Sequence, residues 1–502
     1  MLALAATSGL NVLTSCSVQK SADELPLPGA VAKELEMPDG STIRYRAYEH
    51  LYYVTNVEDS AYQYLNLYIP ESVYESGGAD VPIFFRTYVG GYRAAKAKEP
   101  SGLDASGRAL QEGYVVCIPG SRGNDSAVED DGKKVYTGRV PAGLLDLKAA
   151  IRYLRANDAR LPGNAERIIT DGTSAGGAMS SLLGATGNSP LYEPYLEKMG
   201  AADARDDVFA AVCYCPITDL DHADMAYEWL YQYADPTVRP LTGEQQEIAQ
   251  ELAQAYPEYL NSLQLKTADG TLLTADNYLD YLKTFLIRSA QKARDEGCTI
   301  PDGIGVILNV VKRGGPHGPQ GAQQGQPGAQ RPQGPQNFAP QEQGDFVLDI
   351  DLPAYLSYVA TTRELKTPPS FDAMGVLTDA ASPENQVFGD ADGGSANFTA
   401  YSLRKATGNP TAEPDEVLRR RIYLMNPMNF IADQGSTKAP HWFIRHGARD
   451  RDTAFPVPLN LATKLMNNGY DVDFFLPWNR PHSGDYNLDE LFAWVKRVTA
   501  AP

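Results

Sequence analysis

The stretch running from Arg167 through the small residues up to Ala185 constrains the fold more than any other part of the chain. Arg167-Ile168-Ile169-Thr170 is a short apolar run bounded by glycine, which reads as a buried strand. Residues 175–185 (AGGAMSSLLGA) read as a helix of small side chains that can lie close against a sheet. Between them stands Gly172-Thr173-Ser174-Ala175-Gly176, a G-x-S-x-G pattern. The pattern alone is weak. The strand before it and the helix after it give it content, because a serine on such a turn has its hydroxyl exposed at the end of a sheet. The flanking glycines permit the strained backbone that this requires.

The same alternation recurs on both sides. Strands are expected at Tyr62–Ile69, Val81–Phe85, Tyr114–Pro119 and Val208–Ile217, and a helix over Leu144–Arg155 from the spacing of its apolar residues. Gln63 and Asn66 interrupt the first of these strands, which is therefore expected to be partly buried. After Thr218 the pattern changes, and residues 219–300 have a helical composition. Residues 313–344 are Gly, Pro and Gln with almost no apolar content, and are expected to form a disordered loop within an insertion. Strand and helix resume at His441–Ile444, Asp473–Leu476 and Leu488–Val498. The simplest architecture is an α/β domain with a mostly parallel sheet, formed by residues 30–218 and 421–502 and split by an insertion at 219–420.

Composition narrows the function classes. The chain has 502 residues, of which 43% are hydrophobic, ample for a large core. A net charge of −19 argues against nucleic acid or an anionic membrane as partner. Five cysteines are too few for a disulfide scaffold, and Cys213 and Cys215 read as small core residues of one strand. No apolar run reaches about 18 residues, so no internal transmembrane helix is expected. The mostly apolar or small residues 1–15 end in Leu13-Thr14-Ser15-Cys16, which resembles a bacterial lipobox although no Lys or Arg precedes it. Residues 1–16 then read as a lipoprotein signal segment with Cys16 as the lipidated residue, placing the protein at a bacterial cell surface or outside the cell. Membrane contact would come through the anchor alone.

A serine nucleophile needs a base, and the base an orienting acid, in the chain order serine, acid, histidine. Of the six histidines, His482 lies between the last strand and the last helix, where a loop from the sheet would carry the base. His441 and His446 flank a strand and read as structural. In His446-Gly447-Ala448-Arg449-Asp450-Arg451-Asp452 either aspartate could reach the imidazole, and Asp450, first after the turn, is favoured over Asp452. Oxyanion donors are expected at the amide of Ala175 and in the Gly90-Gly91 turn, at Gly91. Asp390-Ala391-Asp392-Gly393 lacks the further ligands of a calcium loop and reads as a turn. No Cys/His set has zinc spacing, no phosphate-binding loop is present, and the chemistry requires no metal or organic cofactor.

Three stretches are long enough to carry a family resemblance: residues 171–196 (DGTSAGGAMSSLLGATGNSPLYEPYL), 213–231 (CYCPITDLDHADMAYEWLY) and 446–455 (HGARDRDTAF). They resemble bacterial tannases of the α/β-hydrolase superfamily. The Gly/Pro/Gln loop departs from that pattern. The resemblance implies an α/β-hydrolase fold whose 219–420 insertion is a lid domain. It implies hydrolysis of galloyl esters through an acyl-enzyme, with a small polyphenol ester as the binding partner. It assigns the acid to Asp450 and gives Asp452, with Lys366 and Glu384, to the galloyl hydroxyls. The alternatives are a feruloyl or other carboxylesterase of the same fold, or a surface-tethered binding protein without the chemistry.

Overall fold

The computed structural model describes residues 27–309, 346–373 and 381–500. Residues 1–16 with Cys16, and the loop expected at 313–344, lie outside the described residues. Among the described residues there are thirteen strands: β1 (Val31–Glu36), β2 (Thr42–Tyr52), β3 (Tyr64–Pro70), β4 (Pro82–Arg86), β5 (Val115–Pro119), β6 (Ala127–Asp130), β7 (Lys133–Tyr136), β8 (Asn164–Thr173), β9 (Ala210–Tyr214), β10 (Val306–Asn309), β11 (Phe346–Ile350), β12 (His441–Arg445) and β13 (Asp471–Phe475). Nine of them form one sheet in the order β1-β2-β3-β5-β4-β8-β9-β12-β13. From β5 to β13 every neighbour is parallel, and β1 to β3 add an antiparallel edge.

Alternate side chains of the central strands enter opposite cores, as the strand period demands. Ile83, Phe85, Ile168, Ala211, Trp442 and Ile444 pack on one face against the helices Ala142–Ala156 and Ala175–Ala185. Phe84, Ile169, Val212 and Phe443 pack on the other, against the helices Ala105–Gln111 and Leu488–Thr499. The apolar runs of the sequence are thus strands buried on both sides.

Two strand expectations needed correction. β3 begins at Tyr64 rather than Tyr62, because the Gln63 side chain accepts hydrogen bonds from the Glu58 and Asp59 amides and closes a turn. The strand is also fully rather than partly buried. Asn66 is tolerated there because it accepts from the His50 amide and donates to the Tyr68 hydroxyl. Further on, β9 stops at Tyr214, and Cys215 turns away with φ 43°.

Between β9 and β12 the chain builds the helices Leu220–Tyr231, Gly243–Ser262, Tyr278–Asp295, Leu352–Ala360, Pro383–Val387, Ala400–Thr407 and Glu416–Leu424, with β10 and β11 as a hairpin. Their apolar faces continue into the same core as one face of the sheet. The parallel strands β4, β8, β9, β12 and β13 all point their C-terminal ends to one side, the side where open α/β sheets bind ligands.

Buried charge ties the segment after β5 to the helix Ala142–Ala156. Asp146, fully buried on the helix Ala142–Ala156, accepts from the Arg122 amide at 2.7 Å, the Arg122 guanidinium at 2.9 Å and the Gln63 amide at 3.1 Å. Asp146→Ala leaves these donors without their acceptor. We expect a loss of about 3 kcal/mol, read as a lower urea midpoint at an unchanged m value.

Candidate active site

Ser174 stands in the one-residue turn between β8 and the helix Ala175–Ala185, with φ 62° and ψ −124°. That backbone is costly for a residue with a Cβ and is held by its surroundings. The Ser174 amide donates to the Tyr214 carbonyl at 2.9 Å. At Gly172 a Cβ would stand 2.3 Å from the Gly176 carbonyl oxygen, so only glycine fits. The G-x-S-x-G spacing is therefore required by packing, and the serine is left half-buried at the C-terminal end of the sheet.

Two further loops arrive at the same end. After β12, the turn Gly447–Asp450 closes through the Asp450 amide and the Gly447 carbonyl, 2.9 Å apart. It carries Asp450, which is fully buried. After β13, residues 477–487 carry His482. Nδ1 of His482 lies 2.7 Å from Oδ2 of Asp450, while Oδ1 of Asp450 accepts the Asp452 amide at 2.8 Å. Burial alone would raise the Asp450 carboxyl, but the neighbouring His446 and His482 hold it well below the usual carboxylate range. Burial would lower the His482 imidazole, and the Asp450 charge and hydrogen bond more than reverse this and raise it. The His482 loop also lies against the end of β8: a Cβ at Gly484 would stand 1.9 Å from Thr173 Oγ1.

The Gly90-Gly91 turn follows β4 and lies beside the start of the Ser174 helix. Gly91 has φ 56°. Its carbonyl accepts from Asn124 Nδ2 at 3.1 Å, and the same amide group donates to the Pro383 carbonyl at 3.1 Å. Asn124 thus ties the glycine turn to the short helix Pro383–Val387, which carries Glu384.

The three residues expected to contact substrate come together from distant segments. Lys366 lies where Glu384 and Asp452 both act on its charge. Burial lowers the Lys366 ammonium, and the two carboxylates oppose that. Burial raises the Glu384 carboxyl, and Lys366 opposes it. The helix Leu220–Tyr231 supplies the frame. Tyr227 accepts from the Lys366 amide at 3.0 Å and donates to the Arg451 carbonyl at 2.8 Å. Arg239, paired with Glu228 at 2.5 Å, donates to the Lys366 carbonyl from Nε at 2.9 Å. Asp224 accepts the Phe371 and Asp372 amides at 2.7 and 3.0 Å. Lys366 Nζ sits 3.9 Å from the centre of the Phe371 ring.

Two residues read as structural in the sequence lie at this centre. Cys215, turned out of β9, has its sulfur within 4.8 Å of both the Asp450 carboxylate and the His482 ring. It donates to the Ser483 carbonyl at 3.2 Å and lies 3.3 Å from the Tyr486 hydroxyl, so it seats the base loop. His446 is fully buried with Nδ1 3.5 Å from Asp450 Oδ2. Neither was legible, because a cysteine two residues after another on a strand reads as core. The second donor cluster among the described residues, Asp219, Asp221 and His222, is internally satisfied. His222 Nδ1 lies 2.8 Å from Asp219, which also accepts from Tyr259 and Asn426 at 2.6 and 2.7 Å. Asp390–Gly394 is a turn, as expected.

The BD-FAE family model matches residues 65–262. Two esterases of Mycobacterium tuberculosis are similar over short stretches: Esterase LipC is 33% identical over 97 residues and Esterase LipQ 30% identical over 95. Each match covers 19% of this chain, and it spans only 24% and 21% of those esterases' own lengths. Solved structures match far more of the chain. The tannase of Fusobacterium nucleatum superimposes with a TM-score of 0.78 at 36% identity, covering 95% of this chain and 99% of that one. The tannin acyl hydrolase of Lactobacillus plantarum gives 0.78 at 37% identity, covering 94% and 97%. A tannin acyl hydrolase in complex with ethyl gallate gives 0.78 at 37% identity with the same coverage.

The His482–Asp450 contact makes a prediction that needs no substrate. Since the Asp450 charge raises the imidazole, Asp450→Asn removes that support, and His482 loses its proton at lower pH than in the parent. NMR titration of the His482 ring in both proteins checks this. An unchanged or higher midpoint in Asp450→Asn would contradict the assignment of the shift to Asp450.

Proposed function

The chain belongs to the bacterial tannase family of the α/β-hydrolase fold, and we propose that it is a serine esterase releasing gallic acid from gallate esters and hydrolysable tannins. The observation that carries this reading is that the Glu384 and Asp452 carboxylates both act on the Lys366 ammonium, while the Asp452 amide is bonded to Asp450, the partner of His482. Three adjacent phenolic hydroxyls can accept from an ammonium and donate to carboxylates, which is the donor and acceptor set these residues offer. The ethyl gallate complex of a related tannin acyl hydrolase supports the same substrate class.

The mechanism follows from the placement of the groups. Ser174 Oγ attacks the ester carbonyl carbon while His482 Nε2 takes its proton. Asp450, bonded to His482 Nδ1, holds the ring in the required tautomer and stabilises the imidazolium. The amides of Ala175 and Gly91 donate to the carbonyl oxygen as it becomes an oxyanion. The C–O bond then breaks, and the alcohol leaves with the proton from His482. Water gives a proton to His482, attacks the acyl-enzyme carbon and releases the acid, with Oγ regaining its proton. Lys366 donates to one galloyl oxygen, and Glu384 and Asp452 accept from the neighbouring hydroxyls. Among the described residues no helix is long and apolar enough to cross a membrane. In this reading residues 219–420 act as a lid domain, and Cys16 tethers the protein by a lipid at the outer face of a bacterial cell.

The test is hydrolysis of methyl gallate, methyl ferulate and p-nitrophenyl acetate. Methyl gallate should be cleaved in preference, and Ser174→Ala should reduce kcat by about 10⁵-fold or more. Turnover of ferulate or acetate alone would leave an esterase and sink the galloyl assignment. Absence of turnover, with no labelling by a fluorophosphonate, would favour the binding protein.

Ring recognition has its own test. Asp452→Asn and Lys366→Met each remove a partner of a hydroxyl and should lower kcat/KM for methyl gallate by roughly 10- to 100-fold. Hydrolysis of p-nitrophenyl acetate, which has no such hydroxyls, should be far less affected. Equal losses on both esters would place these side chains in the frame of the site rather than in contact with the ring.

A further inference from the structure

Outside the residues placed in the reaction, one buried group touches both sides of the catalytic centre. Arg86 is the last residue of β4 and its side chain is only 6% exposed. One guanidinium nitrogen, Nη1, donates to Asp171, and the other, Nη2, donates to Asp485 at 2.6 Å. Asp171 lies on β8, three residues before Ser174. Asp485 lies three residues after His482. Arg86 itself lies five residues before Gly91. One cation is therefore bound to the chain segments that carry nucleophile and base, and leads directly into the segment that carries the proposed oxyanion donor.

The surroundings make the bridge more than a neighbourly contact. The loop that carries His482 has left-handed backbone at Asn479, Asp485 and Asn487, with φ 55°, 58° and 63°. All three are Asn or Asp, the non-glycine residues that enter this region most readily. Regular secondary structure does not hold this loop, so its anchors do. One is the Cys215–Ser483 contact, and another is the Tyr214 hydroxyl donating to the Tyr486 carbonyl at 3.3 Å. The Arg86–Asp485 bond is an ion pair, besides that of His482 with Asp450. On the other side Arg86 and Asp171 are register partners on β4 and β8, and the Thr87 amide donates to the Asp171 carbonyl at 2.9 Å. The cation therefore starts from a rigid part of the sheet and reaches out to a loop. A guanidinium suits this task because its planar fork can serve two carboxylates at once, which an ammonium on a flexible stem cannot do with the same geometry.

We propose that Arg86, with Asp171 and Asp485, is a positioning clamp that sets the distance between Ser174 and His482. The clamp rests on the reading of Ser174 as nucleophile and His482 as its base. It touches neither substrate nor the reacting atoms. A base displaced by a fraction of a hydrogen-bond length takes the serine proton poorly, while the ring pocket of Lys366, Glu384 and Asp452 stays intact. The signature is therefore a loss in kcat at nearly constant KM.

The test uses the full chain and three variants, Asp485→Ala, Arg86→Lys and the double variant. Three quantities are measured: the rate of Ser174 labelling by a fluorophosphonate, kcat and KM on methyl gallate per labelled site, and the thermal midpoint. Each single variant should slow labelling and lower kcat by about 10- to 100-fold, the scale of small misplacements in an active site. KM should hardly move. Arg86→Lys keeps the charge near Asp171 but cannot span to Asp485, so the double variant should be no slower than the slower single one. Asp485 is at the more exposed end of the bridge, and its variant keeps the test open if Arg86→Lys fails to fold. Variants that label and turn over at the parent rate, with only the thermal midpoint lowered, would overturn the clamp and leave a structural ion pair. A double variant showing the product of the two single losses would overturn it too, since the residues would then act separately. A parent protein that is not labelled at all would instead overturn the assignment of Ser174, and the clamp with it.

Discussion

A buried carboxylate must find donors, and this constraint organises the molecule. Asp146, Asp171, Asp206, Asp224, Asp372 and Asp450 are each at most 3% exposed. Leaving any of them unpaired would cost several kcal/mol, so each draws in partners from other segments. Asp372 accepts from Asn385, Asn397 and Thr399, at 2.7 Å in each case, and gathers the segment around Glu384. Asp206 pairs with Lys148 at 2.7 Å and Arg152 at 2.9 Å behind the nucleophile helix. Asp450 takes a histidine from the last loop. A chain of net charge −19 thus uses part of its acid as internal fasteners rather than as surface charge.

The fasteners explain why the helical insertion and the sheet form one site. The carbonyls of the acid loop are gripped from the insertion: Tyr355 donates to Ala448 at 2.6 Å and Tyr227 to Arg451 at 2.8 Å. The same Tyr227 oxygen accepts the Lys366 amide. On the opposite side Asn124 links the Gly91 turn to the Glu384 helix. Lys366 and the loop carrying Asp450 therefore share a frame, and a shift of the insertion would move them together. In the proposed reading that coupling would let binding of the ring orient the ester carbon.

What the sequence disclosed follows the range over which each signal acts. The strands were legible because strands buried on both faces are written as local apolar runs, such as Ile168-Ile169 and Trp442-Phe443-Ile444. The strained turn at Ser174 was legible because it demands local glycines. His482 and Asp450 were legible from their places after strands, and the structure brings them together. Lys366 and Glu384 came only from resemblance, since nothing local separates them from other lysines and glutamates of a helical region. Cys215 was missed because its role comes from one residue of left-handed backbone, which turns an apparent strand residue toward the base loop. Arg86 was missed because its partners are 85 and 399 positions away. No periodicity reports a contact that only the folded sheet creates.

The electrostatics of the ring pocket also suggest how selectivity arises. Burial works against the charge on both Lys366 and Glu384, and each partly restores the other. In the proposed reading a ligand's hydrogen bonds would add to the stabilisation each charge already has. A galloyl ring brings hydroxyl protons to the carboxylates and a hydroxyl oxygen to the ammonium. In the proposed reading a ring without those hydroxyls would close off solvent without supplying the hydrogen bonds that the hydroxyls give. The penalty for an unpaired buried group, about 1–3 kcal/mol and more when charged, then falls on the wrong substrate. In the proposed reading, discrimination then comes from the cost of covering these three side chains with a ring that lacks the hydroxyls.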